Sequence, residues 1–431
     1  MNIGIMLPGL GEAFDGISAR NYAKRLAKEY DLNTDPEIKY FVKEEKFEYT
    51  TDSTTHCLSI FSQKNGKEIL EYILYDFGYS SVLCGEFKKK NVLQQSFFLF
   101  FIILSKISIV IKRLFKASGS GFRSQRLRFF SFYTFTILLI LATGGILLIP
   151  ATLILIEEVL ELQSSFFITA PFYVFMKGIL LAIASVVLAA IAIVPSVKEK
   201  ISSLSTEFAC AHYYLAFGER RQALMGQLNS LLQFIAEVQG NKEPISVQFH
   251  CYSFGSIIGM DFLFPYGDKP AKQTLDLVDG IFTIGCPFEY ISAYYPNYFD
   301  ERYTNTGNSI TWFNIFCSVD ALSSNFRNDN LDEPPSFSYS NGVPMPINKK
   351  YELANIKNAN IFNFLALYPL RAHQFYWSKD LMGTSCINIV FDVLQERGWA
   401  TQNNVSIESE MKIEDGLRLP NNSTSISGSI E

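Results

Sequence analysis

Histidine is scarce in this chain: four residues in 431, His56, His212, His250 and His373. Any chemistry that needs an imidazole base must use one of these four. Charge is scarce as well, with Asp, Glu, Lys and Arg together at 18% and a formal net charge of −5. That balance excludes a broad basic surface, and no nucleic-acid partner is expected. The seven cysteines are scattered, with no C-x-x-C pair and no metal-ligand spacing. No metal and no cofactor are therefore expected, and the cysteines read as reduced core residues facing the cytosol. No internal repeat is visible, and no signal peptide is expected, because residues 2–7 are needed as a strand.

Apolar residues are abundant, at 48%, which points away from disorder and toward membrane contact. Residues 129–156 carry no charge over a full membrane span, and residues 166–195 carry only Lys177. Glu157, Glu158 and Glu161 lie between these runs, and an antiparallel transmembrane helical hairpin is the expectation. Lys112, Arg113, Lys116, Arg123, Arg126 and Arg128 precede it, and Lys198 and Lys200 follow it. Basic flanks favour the cytoplasmic side. A third apolar run, 96–115, is interrupted by Lys106. It reads as an interfacial or re-entrant helix with basic anchors, the alternative being a third span.

The most informative segment is residues 244–264, PISVQFHCYSFGSIIGMDFLF. It reads as a strand from Ile245 to Cys251, a sharp turn at Ser253 and a helix from near Gly255. A serine at such a turn holds its hydroxyl beyond the sheet, the arrangement of G-x-S-x-G. Here the segment is Cys251-Tyr252-Ser253-Phe254-Gly255, with cysteine in place of the first glycine. The flanks must be small for strand and helix to approach. Gly255 meets that need fully, and Cys251 is small enough to fit. The alternative is an ordinary strand–turn–helix with a capping serine.

Two later stretches bear on the choice. Thr311 to Val319 reads as a hydrophobic strand with Asp320 at its end, and His373 follows an irregular polar stretch. A nucleophilic serine needs a base for its proton and a carboxylate to orient that base. Ser253, Asp320 and His373 fall in the chain order Ser…Asp…His. His250 lies in the strand before the turn and cannot easily reach Ser253. His56 lies upstream of the turn, and His212 reads as helical.

The pieces MLPGLGE (6–12), HCYSFGS (250–256), DGIFTIGCPFEY (279–290), WFNIFCSVDALSSNF (312–326) and AHQFYW (372–377) resemble an α/β-hydrolase of the lipase/esterase type. They resemble in particular bacterial membrane-associated hydrolases interrupted by a hydrophobic insertion. The resemblance implies an α/β fold, with a mostly parallel sheet flanked by helices and interrupted by the transmembrane hairpin. It implies Ser253 as nucleophile, His373 as base and Asp320 as its orienting carboxylate. It also implies oxyanion-hole backbone N–H groups at Gly9 or Leu10 and at Phe254.

The remaining expectations are coarse. Residues 17–30 read as a helix, residues 37–50, 56–63 and 71–83 as strands, and residues 201–239 as helical. Residues 276–288 read as a central strand ending in a turn, and the aromatic stretch 289–299 as either the substrate entrance or a surface loop. The expected divisions are 1–92 and 196–400 for the two parts of the hydrolase domain, 93–128 for the interfacial helix and basic linker, 129–195 for the hairpin, and 401–431 for a disordered polar tail. The expected protein is an integral membrane serine hydrolase of a bacterial inner membrane, its catalytic domain cytoplasmic, acting on acyl esters and lipids presented by the bilayer. An inactive hydrolase-like scaffold serving as membrane sensor or effector is the alternative. A soluble thioester or peptide substrate is a further reading, and a homo-oligomer is left open.

Overall fold

The N-terminal apolar run forms β1 (Asn2–Leu7), and its neighbours in space come from distant parts of the sequence. A computed structural model describes residues 1–10, 16–116, 178, 195–216, 218–240, 244–267, 269–295, 297–302, 310–320, 322–327, 345–352, 372–377 and 385–400. The other strands are β2 (Lys39–Thr50), β3 (Ser53–Lys64), β4 (Lys67–Asp76), β5 (Ser246–Tyr252), β6 (Val278–Ile284), β7 (Thr311–Cys317) and β8 (Ile347–Tyr351). They make one eight-stranded sheet in the order β2-β3-β4-β1-β5-β6-β7-β8. Pairing is parallel from β4 through β8.

The strand sequences explain this division. β1, β5, β6 and β7 are short, nearly continuous apolar runs, as strands covered on both faces must be. β2 to β4 form an antiparallel meander instead. β2 leaves much of its surface exposed. Its strands are joined by tight turns, one at Asn65-Gly66, where both residues have positive φ (53° and 79°). Asn-Gly accepts that backbone at low cost.

Helices cover both faces. On one side lie α1 (Ile17–Asn33) and α9 (Ile387–Glu396). Ala19, Tyr22, Ala23, Leu26 and Tyr30 of α1 recur at helical spacing and join Phe391 and Leu394 of α9 in one core. On the other side lie α5 (Glu219–Gln239) and α6 (Phe254–Leu263), whose Leu228, Leu231, Ile257 and Met260 pack with Ile5, Val247 and Phe249. Short helices α2 (Ser80–Cys84), α7 (Lys272–Leu277) and α8 (Phe288–Tyr294) fill connections, and long helices α3 (Val92–Lys116) and α4 (Pro195–Leu215) lie side by side.

The expected fold class is corrected on two points. The sheet is mixed, because the β2–β4 wing is antiparallel. Among the described residues no helix is long and apolar enough to cross a membrane. The runs 129–156 and 166–195, expected as a hairpin, lie outside the described residues, as does the tail 401–431. The fold class is therefore α/β with a mostly parallel eight-stranded sheet, and the hairpin drops out of it. Residues 96–115 fall within α3, whose Lys106 and serines break the apolar run. Leu99, Phe100, Ile102 and Ile103 of α3 are buried, while Phe97, Phe101 and Leu104 are exposed.

Local boundaries shift too. The expected strand 71–83 ends at Asp76, and residues 80–84 turn into α2. The expected helix over 201–239 is two helices, because Gly218 is extended (ψ 179°) and breaks the run before Glu219. β7 stops at Cys317, two residues before the expected end. Five cysteines are free and buried, whereas Cys84 of α2 and Cys210 of α4 are paired with Cα atoms 5.6 Å apart. Topology alone brings that pair together.

Candidate active site

The carboxyl ends of β1, β5, β6 and β7 meet at one edge of the sheet, where ligands of open α/β sheets bind. Ser253 stands there, between β5 and α6. Its backbone is at φ 51° and ψ −123°, a conformation that costs a non-glycine residue on the order of 1–3 kcal/mol. The surroundings enforce it. Ser253 N donates to Ile284 O at 2.8 Å, and Ser256 N donates to Ser253 O at 2.9 Å.

Glycine and cysteine placement make the turn sterically feasible. A Cβ on Gly255 would lie 2.1 Å from Leu7 O, so only glycine fits against β1. A Cβ on Gly259 would lie 2.6 Å from Cys251 Sγ. Cys251 thus fills space that Gly259, one turn along α6, leaves open. The departure from G-x-S-x-G is met by a second glycine outside the five-residue motif. Burial pushes the Cys251 thiol far up, so it is held neutral.

α6 is anchored at its far side. Asp261 is buried and accepts from Tyr214 Oη at 2.7 Å and from Tyr298 Oη, and it pairs with Arg221 at 3.2 Å and Arg302 at 2.6 Å. This fixes the helix whose first turn carries the serine.

His373 and Asp320 complete a hydrogen-bonded line. His373 Nε2 lies 2.6 Å from Ser253 Oγ, and His373 Nδ1 lies 2.7 Å from Asp320 Oδ2. A carboxylate only accepts, so the Nδ1 proton donates to Asp320 and Nε2 accepts from the serine hydroxyl. Asp320 is fully buried and His373 is 8% exposed, while Ser253 keeps partial exposure. The tyrosines around the line are Tyr252, whose ring stacks on His373 (centroids 5.6 Å, 16°) and whose hydroxyl donates to His373 O, and Tyr376.

Asp320 is built in by its own segment. Leu322 N donates to its Oδ1 at 2.9 Å. Asn314 of β7 donates to Ser324 O at 2.9 Å, and Asn348 of β8 donates to Asn325 O at 2.7 Å. A buried amide, Asn314, and a half-buried one, Asn348, thus staple the loop after Asp320 to the sheet. Gly285, at φ 61° after β6, leaves room for the histidine: a Cβ there would stand 2.8 Å from Tyr376 and 3.2 Å from His373 Cε1.

The other histidines are engaged elsewhere. His250 is fully buried, between Tyr22 Oη (2.7 Å) and Tyr72 Oη (2.8 Å), and burial depresses it to about 3. His56 lies 2.7 Å from Glu44 on the β2–β3 wing, and His212 lies 2.9 Å from Tyr295.

The expected oxyanion residues fall beside the serine. A Cβ on Gly9 would lie 3.1 Å from Ser253 Cβ, so the Pro8–Leu10 loop lies against Ser253. Tyr79 Oη donates to Pro8 O at 2.6 Å and holds that loop. Phe254 opens α6, where backbone N–H groups have no intrahelical acceptor and carry the positive end of the helix dipole. This geometry can remove a proton from a serine hydroxyl and offer N–H groups to a developing oxyanion.

Sequence reading did not anticipate Gly259, Gly285, Asn314, Asn348, Tyr252 or Tyr376. Gly259, four residues after Gly255, and Tyr376, three after His373, were the available signals. Among the described residues no cluster of His, Cys, Asp and Glu is arranged to hold a metal ion. No family model, curated protein or solved structure matches this chain.

Proposed function

We propose that this protein is a serine hydrolase that cleaves acyl esters through an acyl-enzyme. The observation that carries the reading is the unbroken line from Ser253 Oγ through His373 to Asp320, at 2.6 and 2.7 Å, on a serine at positive φ. Ser253 Oγ attacks the acyl carbonyl as His373 Nε2 takes its proton. The N–H groups near Gly9, Leu10 and Phe254 receive the oxyanion, each such donor being worth about 3–4 kcal/mol. His373 returns the proton to the leaving alcohol. Water, deprotonated by the same imidazole, then releases the acid and frees Ser253.

Support for a lipid ester comes from α3. Its Phe97, Phe101 and Leu104 are exposed at 51, 49 and 44%, in one stripe at helical spacing. Lys90 lies over the Phe98 ring, with Lys88 and Lys89 exposed nearby. α3 also packs against α8, which follows β6 at the active edge. An apolar stripe with basic neighbours suits the surface of an anionic lipid aggregate.

The test is labelling with a fluorophosphonate probe, wild type beside Ser253→Ala and His373→Ala. Labelling of wild type alone is expected. A folded wild type that does not label would sink the hydrolase reading and favour a scaffold. Turnover of a short-chain ester with and without anionic vesicles tests the lipid part, which fails if vesicles leave the rate unchanged.

A further inference from the structure

We propose that Tyr376 is a positioning residue for the catalytic line, its hydroxyl aiming Asp320 Oδ2 at His373. This rests on the serine-hydrolase reading above. The geometry is directional. Cys317 N donates to Tyr376 Oη at 3.0 Å, and Tyr376 Oη donates to Asp320 Oδ2 at 3.0 Å. Oδ2 is the same oxygen that accepts from His373 Nδ1.

A phenol has one proton. An amide N–H already occupies one lone pair of Tyr376 Oη, so its own proton is free to go to the carboxylate. The incoming N–H polarises the hydroxyl and strengthens that donation. Burial, with the charge of Asp320 adding to it, holds the phenol far above its usual range, so the proton stays on.

The ring cannot swing away. It is 1% exposed, stacked on Tyr351 (centroids 5.8 Å, 29°) and pressed against Gly285. Its carbonyl accepts from Cys386 N at 2.8 Å. Tyr376 therefore joins the end of β7 to the catalytic histidine's own segment, three residues from His373. Asp320 has three donors, Leu322 N on Oδ1 and His373 and Tyr376 on Oδ2. Without Tyr376, Leu322 N and His373 are the donors left to the carboxylate among the described residues, and the Oδ2–Nδ1 bond loosens. The loss falls in the step where His373 becomes a cation, not in ester binding.

The experiment compares wild type, Tyr376→Phe and a Tyr376→3,5-difluorotyrosine protein, which keeps the shape of the ring with a more acidic hydroxyl. Turnover of a short-chain nitrophenyl ester and the far-downfield proton NMR signal of His373 Nδ1–H are both read. Tyr376→Phe is expected to lower kcat about tenfold, the size of one charge-assisted hydrogen bond, with KM nearly constant. Its Nδ1 proton signal should move or broaden. Difluorotyrosine should restore turnover and move the signal again.

A phenylalanine variant with wild-type kcat and an unmoved signal overturns the proposal. So does a fall in kcat with the signal unmoved, which would mark a merely structural role. If Tyr376→Phe does not fold, an unmoved signal in the difluorotyrosine protein overturns it. Wild type that fails to label with fluorophosphonate removes the hydrolase reading itself, and this inference with it.

Discussion

The parallel half of the sheet and the antiparallel β2–β4 wing each bury a carboxyl at the end of a strand, and treat it in opposite ways. Asp320, beyond β7, receives three hydrogen bonds. Asp76, the last residue of β4, is 4% exposed and its Oδ1 has no hydrogen-bond partner among the described residues. Burial raises Asp76 to about 7, with Arg20 pulling down and Glu44 pushing up. Two buried histidines of the parallel half show the same contrast. His373 keeps a carboxylate on one side and a serine on the other, whereas His250 sits between two phenols, with burial disfavouring its cationic form. Burial alone therefore does not equip a residue for proton transfer. The donors placed around it do, and they cluster at the carboxyl edge of the parallel strands.

The largest expected effect breaks the favoured half. Asp320→Asn should lower kcat about 10⁴-fold by fixing the wrong tautomer of His373, with labelling by fluorophosphonate slowed to match. A loss under tenfold would mean that Asp320 does not orient the base.

The next effect sharpens the contrast from the wing. Asp76 has a folded pKa raised from 3.8 to about 7. Its native form therefore binds a proton that the unfolded chain has released, between those two values. Its contribution to stability is present below about pH 4 and is lost as pH rises through about 7. Asp76→Asn should stabilise the protein at pH 8 by up to about 4 kcal/mol and do little at pH 3.5. Denaturant midpoints at the two pH values check this, and an equal shift at both would show that the carboxyl charge is not the cause.

A smaller effect runs the other way. His250 is depressed from 6.5 to about 3, so its contribution is present above pH 6.5 and lost as pH falls toward 3. Between pH 6.5 and 4.5 the neutral pocket should cost about 2–3 kcal/mol of stability. His250→Gln should flatten that limb of the stability profile. A variant with the wild-type slope would place the acid sensitivity elsewhere.

Sequence reading located the serine well because everything that makes its turn is local. A seven-residue strand that runs into a Cys-Tyr-Ser-Phe-Gly turn, and then a helix, follow one another within residues 246–263. β7 and the place of Asp320 beyond it were legible for the same reason, although the strand ends at Cys317 and not at Val319. The β4 boundary was misread because the apolar run continues past Asp76 into Phe77 and Tyr79, which are buried in non-strand backbone. β8 and α9 were not anticipated. β8, INKKY, carries too little apolar pattern to declare itself, and it becomes a strand by pairing with β7.

What the chain determined by itself was an order of residues: a serine on a strained turn, then an aspartate, then a histidine, with few other histidines to compete. The pattern of apolar runs also dictated an α/β fold. What only the tertiary structure decided was how partners 120 and 53 residues apart close to hydrogen-bonding distance. It also decided that Gly259 makes room for Cys251, that Tyr376 holds Asp320, and that Cys84 meets Cys210. Local propensities act over a few residues, whereas these contacts depend on the strand order of the sheet, and no stretch of sequence carries that order alone.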